Sequence, residues 1–269
     1  MSQTAKKPQQ KSSNIGYLPI IVIIVNILIG FLFWKFVCGN PENFNEDHTP
    51  KQGNYLGIVY EGGFVVPILL GIFLTMLVFS IERLTTIQKA KGKGSVQSFL
   101  QKVKYHLSNN DIDSALKECD KQQGSVANVV NAGLHKYAEM KMDKDATMEQ
   151  KVLNISKEIE EATSLEMPAL ERHLPILATI ASIGTLIALF GTVLGMIRAF
   201  AALAATGTPD PGALSAGISE ALINTAIGIF TSALAIISYN VFTGMIDKLT
   251  YNIDEIGFTI SQTFAAKEK

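Results

Sequence analysis

The sequence predicts an all-α integral membrane protein with four transmembrane helices, in which the last two are long and extend into a helical cytoplasmic region, assembled as an oligomeric bundle. Of its 269 residues 48% are hydrophobic and only 17% are charged, and the mean hydropathy is +0.25. The apolar residues are concentrated in four stretches that reach or exceed the roughly 20 residues needed to cross a bilayer as a helix. These stretches are about 16–37, 63–81, 174–205 and 214–243.

The distribution of cations predicts the orientation of the chain. Lys6, Lys7 and Lys11 precede the first apolar stretch. Further cations follow the second stretch: Arg83, Lys89, Lys91, Lys93, Lys102 and Lys104. The intervening segment is acidic, with Glu42, Glu46, Asp47 and Glu61. Because cytoplasmic segments carry the excess of Lys and Arg, both termini and the long middle segment are predicted to be cytoplasmic.

The predicted order of segments follows from these two patterns. It is a cytoplasmic N-terminal tail (1–14), transmembrane helix 1 (15–38), a periplasmic segment (39–62), transmembrane helix 2 (63–82), a helical cytoplasmic region (83–172), transmembrane helix 3 (173–205), a periplasmic turn (206–213), transmembrane helix 4 (214–243) and a cytoplasmic helical tail (244–269).

Soluble enzyme chemistry has no support in the sequence. The four histidines are scattered without metal-ligand spacing, and there is no phosphate-binding loop, zinc-protease helix motif or nucleophile elbow. Cys38 and Cys119 lie on opposite sides of the membrane in the predicted topology, so they cannot form a disulfide. We therefore expect no enzyme activity, no metal, no cofactor and no nucleic-acid partner.

The middle region, about 82–172, is predicted to be helical. Apolar residues such as Phe99, Val103 and Leu107 recur at helical spacing, and Asn109-Asn110-Asp111 provides a turn and a cap. Nothing in it converges on a pocket, and its apolar residues are too dispersed to predict an independent core. It is therefore expected to be an extension of the membrane helices.

The last segment has the apolar spacing of a coiled coil. Its apolar residues alternate in four- and three-residue steps: Phe242, Ile246, Leu249, Ile253, Ile256 and Ile260. We expect the fourth helix to continue into the cytoplasm and to pack in a bundle of several subunits. The alternative is an amphipathic helix that lies against the middle region of its own chain.

The third and fourth membrane helices each carry a stripe of small residues. The stripe on the third contains Ala181, Gly184, Ala188, Gly191, Gly195, Ala199 and Ala202. The stripe on the fourth contains Gly217, Ala221, Asn224, Gly228, Thr231 and Ala235. Small residues allow helix backbones to approach closely in lipid, so both stripes are predicted to be packing surfaces.

Polar side chains lie beside these stripes at matching depths. Thr192 and Thr225 are both about 20 Å from the outer turn, at 1.5 Å per residue. Arg198 and Glu220 are both about 11 Å from it. A single Thr usually bonds to its own helix carbonyl. Two threonines at one depth, near the carboxylate of Glu220 and near Asn224, favour a hydrated or proton-conducting path.

Alternatives stay open for several of these groups. Glu220 fits a structural ion pair with Arg198, within or between chains, and it also fits a titrating role. Ser182 and Thr185 continue the polar line of the third helix. A scaffold in which all these polar groups only hold helices together is the alternative to a channel.

Several sequence strings resemble one protein family. They are LFGTVLGMI at 189–197 followed by Ala199-Phe200, ISEAL at 218–222, TAIGI at 225–229, YNVF at 239–242 and Glu82-Arg83. In this order and spacing they resemble the MotA/TolQ/ExbB proton-channel family, and its ExbB branch most, over about 82–242. The chain departs from the family pattern in having an extra N-terminal helix, Gly184-Thr185 where a Pro is frequent, and Arg198 at a position that is commonly uncharged.

The resemblance implies a function and partners. The protein would be a homopentamer in the bacterial inner membrane, whose third and fourth helices enclose the membrane helices of an ExbD-type dimer. An Asp of that partner would carry protons, and a TonB-type transducer would be energised for transport across the outer membrane. By carry-over, Thr192 and Thr225 would line the proton path and Glu220 would lie near its outer end. A TolQ-like or other stator subunit of the same family is the alternative.

Overall fold

The computed structural model describes residues 17–46, 49–205 and 211–267, and this part of the chain contains no β-strand. Its α-helices are α1 (Leu18–Phe33), α2 (Tyr55–Glu61), α3 (Val65–Lys91), α4 (Val96–Ser108), α5 (Ile112–Gln122), α6 (Gly124–Met142), α7 (Met148–Glu171), α8 (Leu174–Ala205) and α9 (Pro211–Lys267). The predicted all-α class is therefore confirmed.

Four of the described helices are long and apolar enough to cross a membrane. They are α1 with the π-helical turn Trp34–Cys38 that continues it, α3, α8 and α9. The predicted number of membrane helices is thus confirmed. Most of the predicted outer turn between the last two, 206–210, lies outside the described residues. As a single helix of 57 residues, α9 is roughly 85 Å long at 1.5 Å per residue.

The chain forms two compact units: Met1–Met76 with Ile183–Ser232, here called the first unit, and Leu77–Ser182 with Ala233–Lys269, the second. In the first unit, α1 packs closely on α3. A Cβ atom on Gly30 would lie 2.6 Å from the carbonyl oxygen of Pro67. The buried Asn26 amide donates a hydrogen bond to Thr75, 3.2 Å away. Such interhelical hydrogen bonds stabilise helix pairs in lipid.

The predicted small-residue stripes of α8 and α9 meet in the first unit, as expected. A Cβ atom on Gly195 would lie 2.8 Å from the carbonyl oxygen of Gly217, and one on Gly228 would lie 2.2 Å from the Cβ atom of Ala188. The two backbones therefore approach closely along this contact. Across it, α3 contributes Val65 and Leu69 to an apolar cluster with Ala188.

The second unit has a substantial core, which the sequence analysis did not expect. Buried residues of α4 and α6 include Val103, Leu107, Val130 and Leu134, and α7 contributes Ile155. Each of these residues is no more than 1% exposed. The dispersed apolar positions of the middle region converge because four helices, α4 to α7, pack together with parts of the long helices in this unit. The core is therefore shared with the long helices, and the middle region does not form it alone.

The apolar seam of α9 supplies the other side of this core. Its residues are no more than 6% exposed: Phe242, Ile246, Leu249, Ile253, Ile256, Ile260 and Phe264. The ring of Phe264 packs edge to face on Tyr137, with centroids 4.8 Å apart, and Ser261 bonds to Ser156 of α7 at 3.0 Å. The expectation that this seam packs between subunits is therefore wrong, and the alternative of packing within the chain holds.

A buried arginine links α3 to α7 in the second unit. Arg83 is 1% exposed; it bonds to Glu82, and its Nη1 donates to the carbonyl oxygens of Ala169 and Leu170. Glu82 also bonds to Nδ1 of His173 at 3.0 Å. Arg83 thereby donates to carbonyls in the last turn of α7 while its charge is balanced by Glu82.

Phe264→Ala should destabilise the protein by about 3–5 kcal/mol, because truncation of a buried Phe leaves a cavity. Phe258→Ala, on the same helix, is the control, since Phe258 is 66% exposed and its loss should cost less than about 0.5 kcal/mol. The measurement is thermal unfolding in detergent. Two outcomes would place the seam between chains instead: an equal loss of stability in the two variants, or a loss in Phe264→Ala that appears only when the protein is diluted.

Candidate functional site

The hydroxyl groups of Thr192 and Thr225 meet between α8 and α9. Their Oγ1 atoms are 2.5 Å apart, and both side chains are half-buried. Oγ1 of Thr192 also lies 3.0 Å from the carbonyl oxygen of Ala188 and 3.3 Å from that of Ala221. Oγ1 of Thr225 lies 3.1 Å from the same Ala221 oxygen. Because each hydroxyl has one hydrogen, one threonine donates to the other, and the second donates to a helix carbonyl. The two side chains form one polar group.

The small residues of α8 and α9 explain why these hydroxyls can meet. The close contacts at Gly195 and Gly228 lie on either side of the threonine pair along the two helices. A Thr side chain is short, so its hydroxyl reaches a neighbouring helix only where the backbones nearly touch. The local packing of the two stripes therefore determines the geometry of the pair.

Arg198 and Glu220 form an ion pair in the same contact. Nη1 of Arg198 donates to both carboxylate oxygens of Glu220, at 2.6 and 2.8 Å. The Glu220 side chain is 7% exposed and that of Arg198 is 52% exposed. The guanidinium also lies over the ring of Phe64, 5.9 Å from its centroid, at a distance typical of cation–π contacts. Of the two roles open for Glu220, the structure shows the ion pair, and it lies within one chain.

A glycine turn between α2 and α3 encloses the carboxylate of Glu220. Gly63 has φ +74°, and a Cβ atom there would lie 2.3 Å from Oε1 of Glu220. Only glycine satisfies both constraints, since this φ is unfavourable for other residues and the space is already filled. The Gly62-Gly63 pair is a sequence signal for such a turn, but the turn is not among the predicted parts of the site.

Asn224 joins this turn to α9. Its amide Nδ2 donates to the carbonyl oxygens of Gly62 and Glu220, both at 3.0 Å. Its Oδ1 is buried and has no hydrogen-bond partner among the described residues. A buried acceptor without a partner is costly in apolar surroundings. Asn224 therefore supports the turn around Glu220 and does not join the ion pair.

The remaining predicted residues lie away from the threonine pair. Thr185 donates to Ser232 at 2.9 Å, a partner that the sequence analysis did not identify. Ser182 is exposed on α8 and belongs to the second unit, so it is not part of the threonine pair or the ion pair. Among the described residues, no three His, Cys, Asp or Glu side chains are grouped as metal ligands.

Comparison with known proteins gives one matching family. The sequence pattern of the MotA/TolQ/ExbB proton channel family matches residues 121–255. This match covers half of the chain and includes the threonine pair and the ion pair. It begins in α5, includes all of α8 and ends within α9.

Individual relatives fall in two branches of this family. The Tol-Pal system protein TolQ of Pseudomonas aeruginosa is 34% identical over 146 residues, covering 53% of this chain and 57% of that protein. The TolQ of Haemophilus influenzae is 44% identical over 79 residues, covering 29% of this chain and 35% of that protein. This chain therefore spans about half or less of these two relatives. The biopolymer transport protein ExbB of Neisseria meningitidis serogroup A is 27% identical over 210 residues, covering 74% of this chain and 92% of that protein.

Arg198→Met should cost more stability than Glu220→Gln, because the two partners differ in exposure. Removal of Arg198 leaves a buried carboxylate without its charged partner, at a cost of about 2 kcal/mol. Removal of the Glu220 charge leaves an arginine that is 52% exposed and keeps its contact with Phe64, so the cost should be smaller, about 1 kcal/mol. Thermal unfolding in detergent measures both variants. The double variant should be more stable than Arg198→Met alone, and equal losses for the two single variants would contradict the asymmetry.

Proposed function

This chain belongs to the MotA/TolQ/ExbB proton channel family, and we propose that it is the channel subunit of an ExbB-type motor, which couples the proton motive force to TonB-dependent transport across the outer membrane. It is a multi-pass inner-membrane protein. The observation that carries the proposal is the bond between the Thr192 and Thr225 hydroxyls across the contact of α8 and α9.

The chemistry of the threonine pair suits proton passage. Each hydroxyl has one donor hydrogen and can accept two hydrogen bonds. The pair can therefore form hydrogen bonds to a group that carries a proton as that group moves past it. In an apolar helix contact such groups are a local polar path. A hydroxyl does not hold a positive charge at neutral pH, so an ionisable group must carry the proton past it. In the proposal this group is an Asp on the membrane helix of an ExbD-type partner.

The other polar residues support this path. We propose that Glu220 lies near its outer end, held in place by Arg198, and that Asn224 fixes the turn that encloses Glu220. Thr185 bonds to Ser232 in the same helix contact and stabilises it, and Ser182 lies further along α8. One charge that crosses 100 mV releases about 2.3 kcal/mol, so useful work requires several protons per cycle.

The proposed assembly is a homopentamer with both termini in the cytoplasm. The α8 and α9 helices of five copies would surround the partner dimer, with the exposed apolar faces of the helices in lipid. The asymmetry of cations supports this orientation, since Lys and Arg are enriched around the inner ends of the helices. A TonB-type transducer would receive the work done by the motor.

A TolQ-type role is the second candidate. The TolQ relatives of Pseudomonas aeruginosa and Haemophilus influenzae are 34% and 44% identical to this chain, while the longer match to a Neisseria ExbB is 27% identical. Relatives from both the TolQ and the ExbB branch match this chain. The partner proteins of the motor would therefore distinguish an ExbB-type from a TolQ-type role.

Thr192→Val and Thr225→Val should each abolish proton flux while the complex with the partner remains assembled, because valine keeps the side-chain shape but removes the hydroxyl. Flux into liposomes that contain the chain and its partner is the measurement. Thr231→Val is the matched control, since Thr231 is buried on the same helix and donates to the carbonyl oxygen of Ile227. Undiminished flux through both variants would refute the path, and no flux through the wild-type complex would indicate a non-conducting scaffold.

Affinity purification of the intact complex should yield a small single-span protein with an Asp in its membrane helix, together with a TonB-type transducer. Mass spectrometry identifies the copurified proteins. Components of a Tol-Pal system in place of the transducer would assign the TolQ-type role. A preparation in which the Thr192→Val chain retains the same proteins serves as the control for assembly.

A further inference from the structure

A cavity of about 780 Å³ lies in the first unit, next to the Arg198–Glu220 pair. Its walls come from the end of α1, the acidic segment that follows it, the turn between α2 and α3, and α8. Its lining includes Glu46, Tyr60, Glu61, Gly63 and Arg198. Since a water molecule occupies about 30 Å³ of liquid, there is room for many.

Glu220 does not line this cavity. Both of its oxygens accept from Arg198, its side chain is 7% exposed, and Gly63 lies in close contact with it on the side of the cavity. Its carboxylate is therefore occupied as the partner of Arg198.

Glu61 is the other carboxylate at this place, and its surroundings differ. It lies outside the predicted membrane spans, at the end of α2, two residues before Gly63. It is half-buried in the wall of the cavity. Loss of hydration raises the pKa of Glu61. A raised pKa means that Glu61 holds its proton at a higher external pH than an exposed carboxylate does.

The groups that face Glu61 across the cavity leave it available. Among the described residues, the titratable and charged ones that line the cavity with it are Glu46, Tyr60 and Arg198, and Arg198 is engaged by Glu220. Glu46 is exposed on the acidic segment and adds negative potential, which attracts protons to the cavity. Further inward on α9, the buried Oδ1 of Asn224 offers an acceptor for water, one residue before Thr225.

We propose that Glu61 is the proton-loading residue at the outer end of the path: it takes a proton from external water and releases it to water in the cavity beside Arg198–Glu220. In the proposed channel the proton then continues to the threonine pair. An O–H bond forms on the Glu61 carboxylate as a hydronium ion loses its proton, and the same bond breaks as cavity water accepts it. The inference rests on the proposed channel function and on the proposed orientation.

The test measures proton flux into liposomes that contain the chain and its partner, with the external pH varied from about 5 to 8 on the side of Glu61. Loss of a positioned proton-transfer group typically lowers the rate about 10²-fold or more. Water in the cavity can take over part of the transfer, so Glu61→Gln should lower the proton flux about tenfold near neutral pH. The loss should shrink as the external pH falls, because free protons then become abundant. Glu61→Asp, which keeps a carboxylate, should restore most of the flux.

Glu42→Gln is the matched control, because Glu42 is an exposed acid of the same segment and does not line the cavity. Its flux should equal that of the wild type at every pH. Melting temperature and copurified partner should be unchanged in all three variants, which separates a transfer defect from misfolding. Wild-type flux through Glu61→Gln at every pH, or an equal loss in Glu42→Gln, would overturn the inference and leave the channel function standing. No flux through the wild type would overturn both.

Discussion

The close contact between α8 and α9 is the constraint on which the site depends. In lipid there is no hydrophobic gain from bringing two apolar helices together, so backbones must come close enough for dispersion and short polar contacts to hold them. Glycine and alanine at Gly195, Gly217, Ala188 and Gly228 permit this approach. Only then can hydroxyls as short as that of Thr192 reach across to the neighbouring helix. The packing surface and the polar site are therefore one structure.

Polar groups in the first unit are satisfied in pairs. Thr185 bonds to Ser232, Asn26 to Thr75 and Arg198 to Glu220. Pairing of this kind fixes the relative rotation of helices, because a rotation would leave each partner unsatisfied in an apolar medium. The unpartnered Oδ1 of Asn224 is an exception among the described residues. Water at that point would make the contact hydrated where the threonine pair begins.

Sequence reasoning found the paired residues because helix geometry is regular. A constant rise per residue is enough to place Thr192 level with Thr225, and Arg198 level with Glu220, on two helices joined by a short turn. It could not find the Gly62-Gly63 turn as part of the site, because that turn arrives from a separate part of the chain. The seam of α9 was assigned to the wrong neighbour for another reason. Apolar residues in four- and three-residue steps look the same whether they face another subunit or another helix of the same chain.

Two carboxylates of the first unit differ in their surroundings. Glu220 is buried against a cation, so its charge neutralises Arg198. Without that neutralisation the arginine would present a positive barrier to protons in the proposed path, as cationic residues do in pores that exclude them. Glu61 is half-buried in the wall of the cavity, where burial raises its pKa. In the proposed channel the ion pair removes a barrier and a separate acid exchanges protons, so no single carboxylate has to do both.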